Sequence, residues 1–414
     1  MVSAAEPAGR MTPIKHERPL PWVQLRNAIF HPSIFRKMVG RVDPATRNGN
    51  LVTVYDRDGN IFGTGMYSTQ SLIALRMLTF DASDVTEGLI GERLAAAVKL
   101  RREEFDLDKT TDAYRLVHAE GDGLPGVIID RLGEYAVVEL FSFGMYRRAE
   151  YLRKTLKELL GVKDVLVRAD ERICAAEGFV LGENAPSGPQ RARSADRRST
   201  VINENGVRFQ IDLTHGHKTG FFCDQRDNRL ALSRHTAGKS VLDLCCYSGG
   251  FGVYAATLGK ADNVMCVDLD EDAIALAQRN ANLNKVPRSV FATTHSDSFP
   301  YLRQLQVNNK TYDVVILDPP KLIPTREDFA EGRQKYFDLN KLGMSAVSPG
   351  GMIVTCSCSG LVSTDEFLSI LRGAARSAGK RVQILQLTGP GVDHPVMTEC
   401  LESAYLKCAW ARVL

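Results

Sequence analysis

The chain has 414 residues, 44% of them hydrophobic, nine cysteines and a net charge of +3. Such a length calls for two or three domains, and no uncharged run approaches the roughly 18 to 20 residues of a membrane span, which excludes a helical membrane protein. The cysteines are odd in number, several sit in apolar strand-like runs (Cys245, Cys246, Cys266, Cys408), and no Cys-x-x-Cys pair occurs, so neither a disulfide scaffold nor a zinc site is expected.

Residues 1–19 read as a flexible N-terminus. They lack the apolar core of a secretory signal, and Glu6 and Glu17 argue against a transit peptide, so a cytoplasmic location is expected, with an organelle as the alternative if this segment is trimmed. Residues 1–80 hold ten Lys or Arg against five Asp or Glu. That excess suits a polyanionic partner, although an ordinary solvated surface would carry it equally well. Within residues 20–82, Leu51–Asp56 reads as a strand running into an Asp-Gly turn, with further strands over 61–68 and 72–78: a small β-barrel.

Residues 83–180 read as a central α+β domain. Apolar positions recur at three and four over 87–104, a helix, and strands follow at 114–118, 126–130 and 135–141, a helix near 146–160 and a strand near 164–168. Residues 181–200 are rich in Pro, Gly and Ser and carry four arginines, a flexible basic linker. From 201 to 414 a strand at 207–213 leads into a segment dense in charge and glycine, after which strands and helices alternate from 240 onward. This is the pattern of a doubly wound α/β sheet, closed by an antiparallel strand near the C-terminus. There are no internal repeats.

The chemistry concentrates in this last region. Val241-Leu-Asp-Leu-Cys-Cys-Tyr-Ser-Gly-Gly-Phe-Gly252 is an apolar strand with an acid near its end, Asp243, then a glycine turn before a helix. Gly249, Gly250 and Gly252 miss the Gly-x-Gly-x-x-Gly spacing that a dinucleotide requires. Asp268, Asp297 and Asp318 follow at the pace of successive strands. Four acids in strand-end register point to S-adenosylmethionine (SAM), with Asp268 accepting from the ribose hydroxyls and Asp297 beside the adenine amino group. Asp318-Pro-Pro-Lys321 ends one strand with two stiffening prolines and would orient a planar base. The next strand runs out through Cys356-Ser-Cys358-Ser-Gly360, and a thiolate there could add to carbon 6 of a pyrimidine and make carbon 5 nucleophilic. Cys358 lies beyond the apolar run and is the first candidate; Cys356 is the reserve.

These residues resemble the bacterial large-subunit ribosomal RNA cytosine-5 methyltransferases that carry an N-terminal PUA domain. The likeness rests on His215-Gly-His-Lys-Thr-Gly-Phe-Phe-Cys-Asp-Gln-Arg-Asp-Asn-Arg229, Gly121-Asp-Gly-Leu-Pro-Gly126, Tyr247-Ser-Gly-Gly-Phe251, Asp318-Pro-Pro-Lys321, Ser357-Cys-Ser-Gly360 and Asp393-His-Pro395, from about residue 50 to the C-terminus. It departs from the family at Leu20-Pro-Trp22, at Leu322 and over 171–200. The resemblance implies a PUA-like barrel, a central α+β domain and a C-terminal Rossmann-like class I methyltransferase domain. It further implies SAM contacts at Gln225, Arg226, Asp243, Tyr247, Gly249, Asp268, Asp297 and Asp318, catalysis by Cys358 with Asp318, and ribosomal RNA of the large subunit as partner, with no membrane and no metal. A homodimer is left open. So are two other readings: methylation of a guanine nitrogen without a covalent step, and a SAM-binding ribosome assembly factor without turnover.

Overall fold

In this computed structural model the described residues are 11–180, 199–213 and 219–414. Most of the basic linker, residues 181–198, and the opening of the His215–Arg229 signature, residues 214–218, lie outside them, as do residues 1–10. The chain folds as two compact units, the first built from described residues within Met1–Phe105, Arg115–Ala195 and Pro395–Leu401, the second from those within Asp106–Tyr114, Asp196–His394 and Glu402–Leu414.

The first unit begins with β1 (Trp22–Leu25), β2 (Ser33–Phe35), β3 (Val39–Val42), β4 (Leu51–Tyr55), β5 (Ile61–Tyr67) and β6 (Ile73–Thr79), in the spatial order β2-β6-β5-β4-β1-β3. Val23, Leu25, Ile34, Val52, Val54, Tyr67, Leu75 and Met77 from these strands share one core. The β4–β5 turn forms where the Asp-Gly signal predicts it: the Asp56 carboxylate accepts from the Asp58 and Asn60 amides, and Gly59 adopts φ +76°. The unit continues with α1 (Gly88–Lys99), β7 (Ala113–His118), β8 (Val127–Leu132), β9 (Tyr135–Leu140), α2 (Phe143–Tyr146), α3 (Ala149–Leu160), β10 (Asp164–Arg168) and α4 (Glu171–Glu177). The sheet order is β10-β9-β8-β7. Leu152, Leu156 and Leu160 recur every fourth residue on α3 and are its buried face.

The second unit opens with the hairpin β11 (Ser199–Glu204) and β12 (Val207–Asp212), whose turn residues Asn205 and Gly206 both have positive φ. Then come α5 (Arg226–Ser233), β13 (Ser240–Leu244), α6 (Gly250–Ala256), β14 (Asn263–Asp268), α7 (Glu271–Leu283), β15 (Phe291–His295), α8 (Ser298–Val307), β16 (Tyr312–Leu317), α9 (Phe329–Ser345), β17 (Val347–Ser357), α10 (Thr364–Ser377), β18 (Val382–Thr388) and β19 (Lys407–Val413). They build a seven-stranded sheet ordered β15-β14-β13-β16-β17-β19-β18. β19 is the expected returning strand, antiparallel to both β17 and β18. The parallel run reverses direction of winding between β13 and β16, and in such sheets the crevice beyond the strand ends at that point takes the ligand. No helix among the described residues is long and apolar enough to cross a membrane.

Candidate active site at the strand tips

The crevice is bounded by the exits of β13, β14, β16 and β17, and of the acids read from the sequence Asp243, Asp268 and Asp318 act on one another there. β13 continues one residue past Asp243, whose carboxylate is buried and turned back on the glycine turn. Its Oδ2 accepts the Gly252 amide at 2.9 Å, tying the strand to the first turn of α6. Its Oδ1 has no hydrogen-bond partner among the described residues. Burial, reinforced by the charges of Asp318 and Asp268, pushes the Asp243 carboxyl up to about 7 despite the Gly252 amide and the Cys266 thiol. A buried acceptor without a partner, inside a cluster of three acids, fits a ligand that brings positive charge, as SAM does through its sulfonium and ammonium groups.

Between β13 and α6 the backbone is left-handed at alternate residues: Cys245 (φ 58°), Tyr247 (φ 46°) and Gly249 (φ 74°). At the two non-glycine positions this costs about 1 to 3 kcal/mol each. Neighbouring groups enforce the path. The Tyr247 amide donates to Asp268 Oδ2 at 2.8 Å, the Cys246 amide to the Val267 carbonyl, and Asn280 Nδ2 to the Ser248 carbonyl. A Cβ on Gly249 would stand 2.9 Å from the Ala277 Cβ, so glycine is required there by contact with α7 as well as by φ.

Asp268 sits half-buried at the tip of β14 and also accepts the Asp270 amide. Asp297 caps α8, accepting the Phe299 amide through Oδ1 at 2.7 Å, a structural duty the sequence reading did not assign to it. Asp318 follows β16 directly, and its amide faces the Leu244 carbonyl. The Tyr247 ring stacks edge-on against Phe222 with centroids 5.2 Å apart, next to the 3-10 turn Cys223–Gln225.

Gln225 and Arg226, read as cofactor contacts, are both buried. Gln225 accepts from Asn228 and bonds the Cys356 thiol, which brings it to the tip of β17. Arg226 is committed within the protein: its guanidinium makes two bonds to Asp393, at 3.1 and 3.0 Å, and a third to Asp227. Three of its five N–H donors thus go to protein carboxylates, which ties the start of α5 to the Asp393-His394 segment.

The two cysteines part company. Cys356 is still within β17, fully buried opposite Cys408 in the strand register, and its contact with Cys408 together with burial pushes its thiol well above the ordinary range. Cys358 lies one residue past the strand and is half-buried, its Sγ 4.0 Å from the Pro319 carbonyl in the Asp318-Pro-Pro turn. Strand alternation does not carry both to one environment, because β17 ends between them. Ser357 and Ser359 on either side of Cys358 both bond the Tyr336 hydroxyl, at 3.1 and 3.0 Å. The Lys407 ammonium donates to the Ser359 carbonyl at 2.8 Å. Tyr336 and Lys407 are missing from the sequence reading of the site, and Asp393 entered it only within the Asp393-His-Pro395 motif, with no role; for Lys407 a lone lysine inside the apolar run 406–411 was the local signal.

Comparison with known proteins bears on the family and the fold. Residues 117–397 match the S-adenosylmethionine-dependent methyltransferase family, and residues 28–80 match the PUA-like domain. The chain is 36% identical over 384 residues to ribosomal RNA large subunit methyltransferase I of Aeromonas hydrophila, covering 91% of this chain and 94% of that protein. Its identity to the protein of the same name from Klebsiella pneumoniae is 35% over 391 residues, 93% and 94% of the two chains. Among solved structures, SMU.776 complexed with SAH superposes with a TM-score of 0.76 at 23% identity, over 92% of this chain and 96% of that one, a likeness of fold.

Proposed function

Because the chain belongs to the S-adenosylmethionine-dependent methyltransferase family and carries a PUA-like domain, we propose that it methylates ribosomal RNA of the large subunit at carbon 5 of a cytosine. The observation that carries the reading is the pairing of a half-buried thiol, Cys358, with the Asp318-Pro-Pro turn at the switch point of the sheet. SAM supplies the electrophilic methyl group when bound. Asp243, Asp268, Asp297, Tyr247, Gly249 and Gln225 would form its cradle, with Arg226 bracing them. Cys358 adds as thiolate to carbon 6 of the ring and leaves carbon 5 electron-rich; carbon 5 takes the methyl group with SAH as leaving group, a base then removes the carbon-5 proton, and expulsion of the thiolate restores the aromatic ring. Asp318 would hold the base edge and stabilise the adduct.

The proposed division of labour keeps the domains of the sequence reading, with the barrel of residues 20–82 meeting RNA, residues 83–180 as the central α+β domain, residues 181–200 as a basic linker and residues 201–414 carrying the chemistry. Location in the cytoplasm, with an organelle as the alternative, belongs to the same proposal. Assembly as a homodimer is supported by β18, an edge strand with exposed Ile384, Leu385 and Leu387. The reaction is tested by mass analysis of nucleosides from unmodified large-subunit rRNA incubated with the protein and SAM. The expected product is 5-methylcytidine; a methylguanosine in its place defeats the covalent mechanism and favours methylation at nitrogen.

Cofactor affinity should depend on pH through Asp243. A cationic ligand prefers the ionised carboxylate, and in the free protein that form is scarce below about 7. SAM binding measured by calorimetry should therefore tighten by up to about tenfold per pH unit on approaching pH 7 and level off above it. Asp243→Asn should flatten the profile; an unchanged profile in that variant would remove Asp243 from the cradle.

A further inference from the structure

We propose that Lys407 is the positioning residue that holds the Cys358 thiol ionised, its buried ammonium reaching from β19 to the carbonyl of the neighbouring Ser359. This deepens the reading of Cys358 as nucleophile and rests on it. A thiol at its ordinary pKa of about 8.5 is only a few per cent thiolate at pH 7, so a nucleophilic cysteine needs a nearby group that favours the charged form.

The geometry singles out Lys407 for that task. In the β17–β19 register Lys407 lies opposite Ser357, and its Nζ reaches across to donate to the Ser359 carbonyl at 2.8 Å. Lys407 thus meets the residues on both sides of Cys358, Ser357 by strand pairing and Ser359 by its side chain, while only 8% of the residue is exposed. A buried lysine beside the apolar stretch Cys408–Ala411 is costly to keep unless a negative partner repays its desolvation. Burial pulls its ammonium down to about 8, the Cys358 charge pushes it back up, and Lys321 pulls it down further.

The other charged and titratable groups around the thiol do not replace it. Lys321 follows the Asp-Pro-Pro turn but is exposed, so water and salt screen its charge. Tyr336 from α9 is raised by burial and further by the Cys358 charge, which keeps its hydroxyl neutral between the two serines. Asp318 precedes the proline whose carbonyl meets the thiol, and its negative charge opposes ionisation. Among these groups Lys407 is the one buried cation.

The test is chemical and does not need methyl transfer. The rate of alkylation of Cys358 by iodoacetamide is followed against pH in the full-length protein, with the modified peptide resolved by mass spectrometry, for the wild type, Lys407→Met and Lys407→Arg. The wild-type thiol should titrate at least about one pH unit below the ordinary value, and Lys407→Met should raise it by a unit or more, slowing alkylation at pH 7 about tenfold. Lys407→Arg should restore the wild-type profile, and SAH binding should survive in all three. A wild-type Cys358 that titrates at or above the ordinary thiol value overturns the proposal, and needs no variant to do so. An unmoved profile in a Lys407→Met protein that binds SAH overturns it too. If Cys358→Ala retained methyl transfer, the nucleophile reading would fall while a depressed, lysine-dependent thiol would still stand, so the two failures are distinct.

Discussion

Replacing Cys358 by Ala is expected to lower methyl transfer to rRNA by about 10⁴-fold or more, the scale on which loss of a covalent nucleophile acts. The ring of cytosine activates carbon 5 only weakly, and without addition at carbon 6 the remaining site can orient the base but not prepare it. Affinity for SAH should be unchanged, because the thiol faces the Pro319 carbonyl and the acids that would hold the cofactor sit on β13 and β14. Cys356→Ala offers the contrast: that thiol is packed against Cys408 and held protonated, so its removal should cost packing and leave the reaction running. Single-turnover methylation with labelled SAM measures both. Full activity in Cys358→Ala, or its loss in a folded Cys356→Ala, would reverse the assignment.

The second large effect is expected in stability. Asp393→Ala removes the carboxylate that takes two bonds from Arg226 and leaves that guanidinium buried, with the half-exposed Asp227 and the charge of Glu204 as its remaining compensation. Breaking such a pair from one side costs roughly 3 to 5 kcal/mol, a large part of the stability of an ordinary domain. Thermal unfolding of the second unit should drop by roughly 6 to 20 °C, at about 2 to 4 °C per kcal/mol for a unit of this size. The double variant Arg226→Met with Asp393→Leu should recover much of the loss, since it removes both charges together. Acid titration supplies the sign: burial alone would raise the Asp393 carboxyl, yet His394 and Arg226 hold it well below the usual carboxylate range. Its contribution is therefore present above about pH 4, the ordinary carboxylate value, and is lost as the pH falls below it. The Asp393→Ala protein should lack that part of the acid limb, and a wild-type melting temperature for the variant would show the pair to be dispensable.

Legibility followed the range of the interactions. β10 was read at its observed bounds, and β4, β5, β9, α3 and β19 to within a few residues, because each carries its own period of apolar side chains. β1, β2 and β3 have four residues or fewer, too short for alternation to register, and α2 and α4 are one or two turns long. In the site, the acids were visible because strand ends recur in sequence. Their duties were less so: Asp297 is a helix cap and Asp243 a clamp on Gly252, and both depend on where the next helix starts. The Arg226–Asp393 pair spans 167 positions, and Lys407 reaches a carbonyl 48 positions earlier. No local pattern encodes such partners, although the two motifs that hold Arg226 and Asp393 both stood out in the sequence.

The left-handed path through Cys245, Tyr247 and Gly249 bears on the order in which the molecule is put together. The groups that hold the backbone of this stretch come from further along the chain: Val267 and Asp268 on the next strand, Ala277 and Asn280 on the helix after it. The cradle proposed for the cofactor can therefore close only once those neighbours have docked, and a local opening that frees them should relax this backbone while the rest of the sheet stays paired.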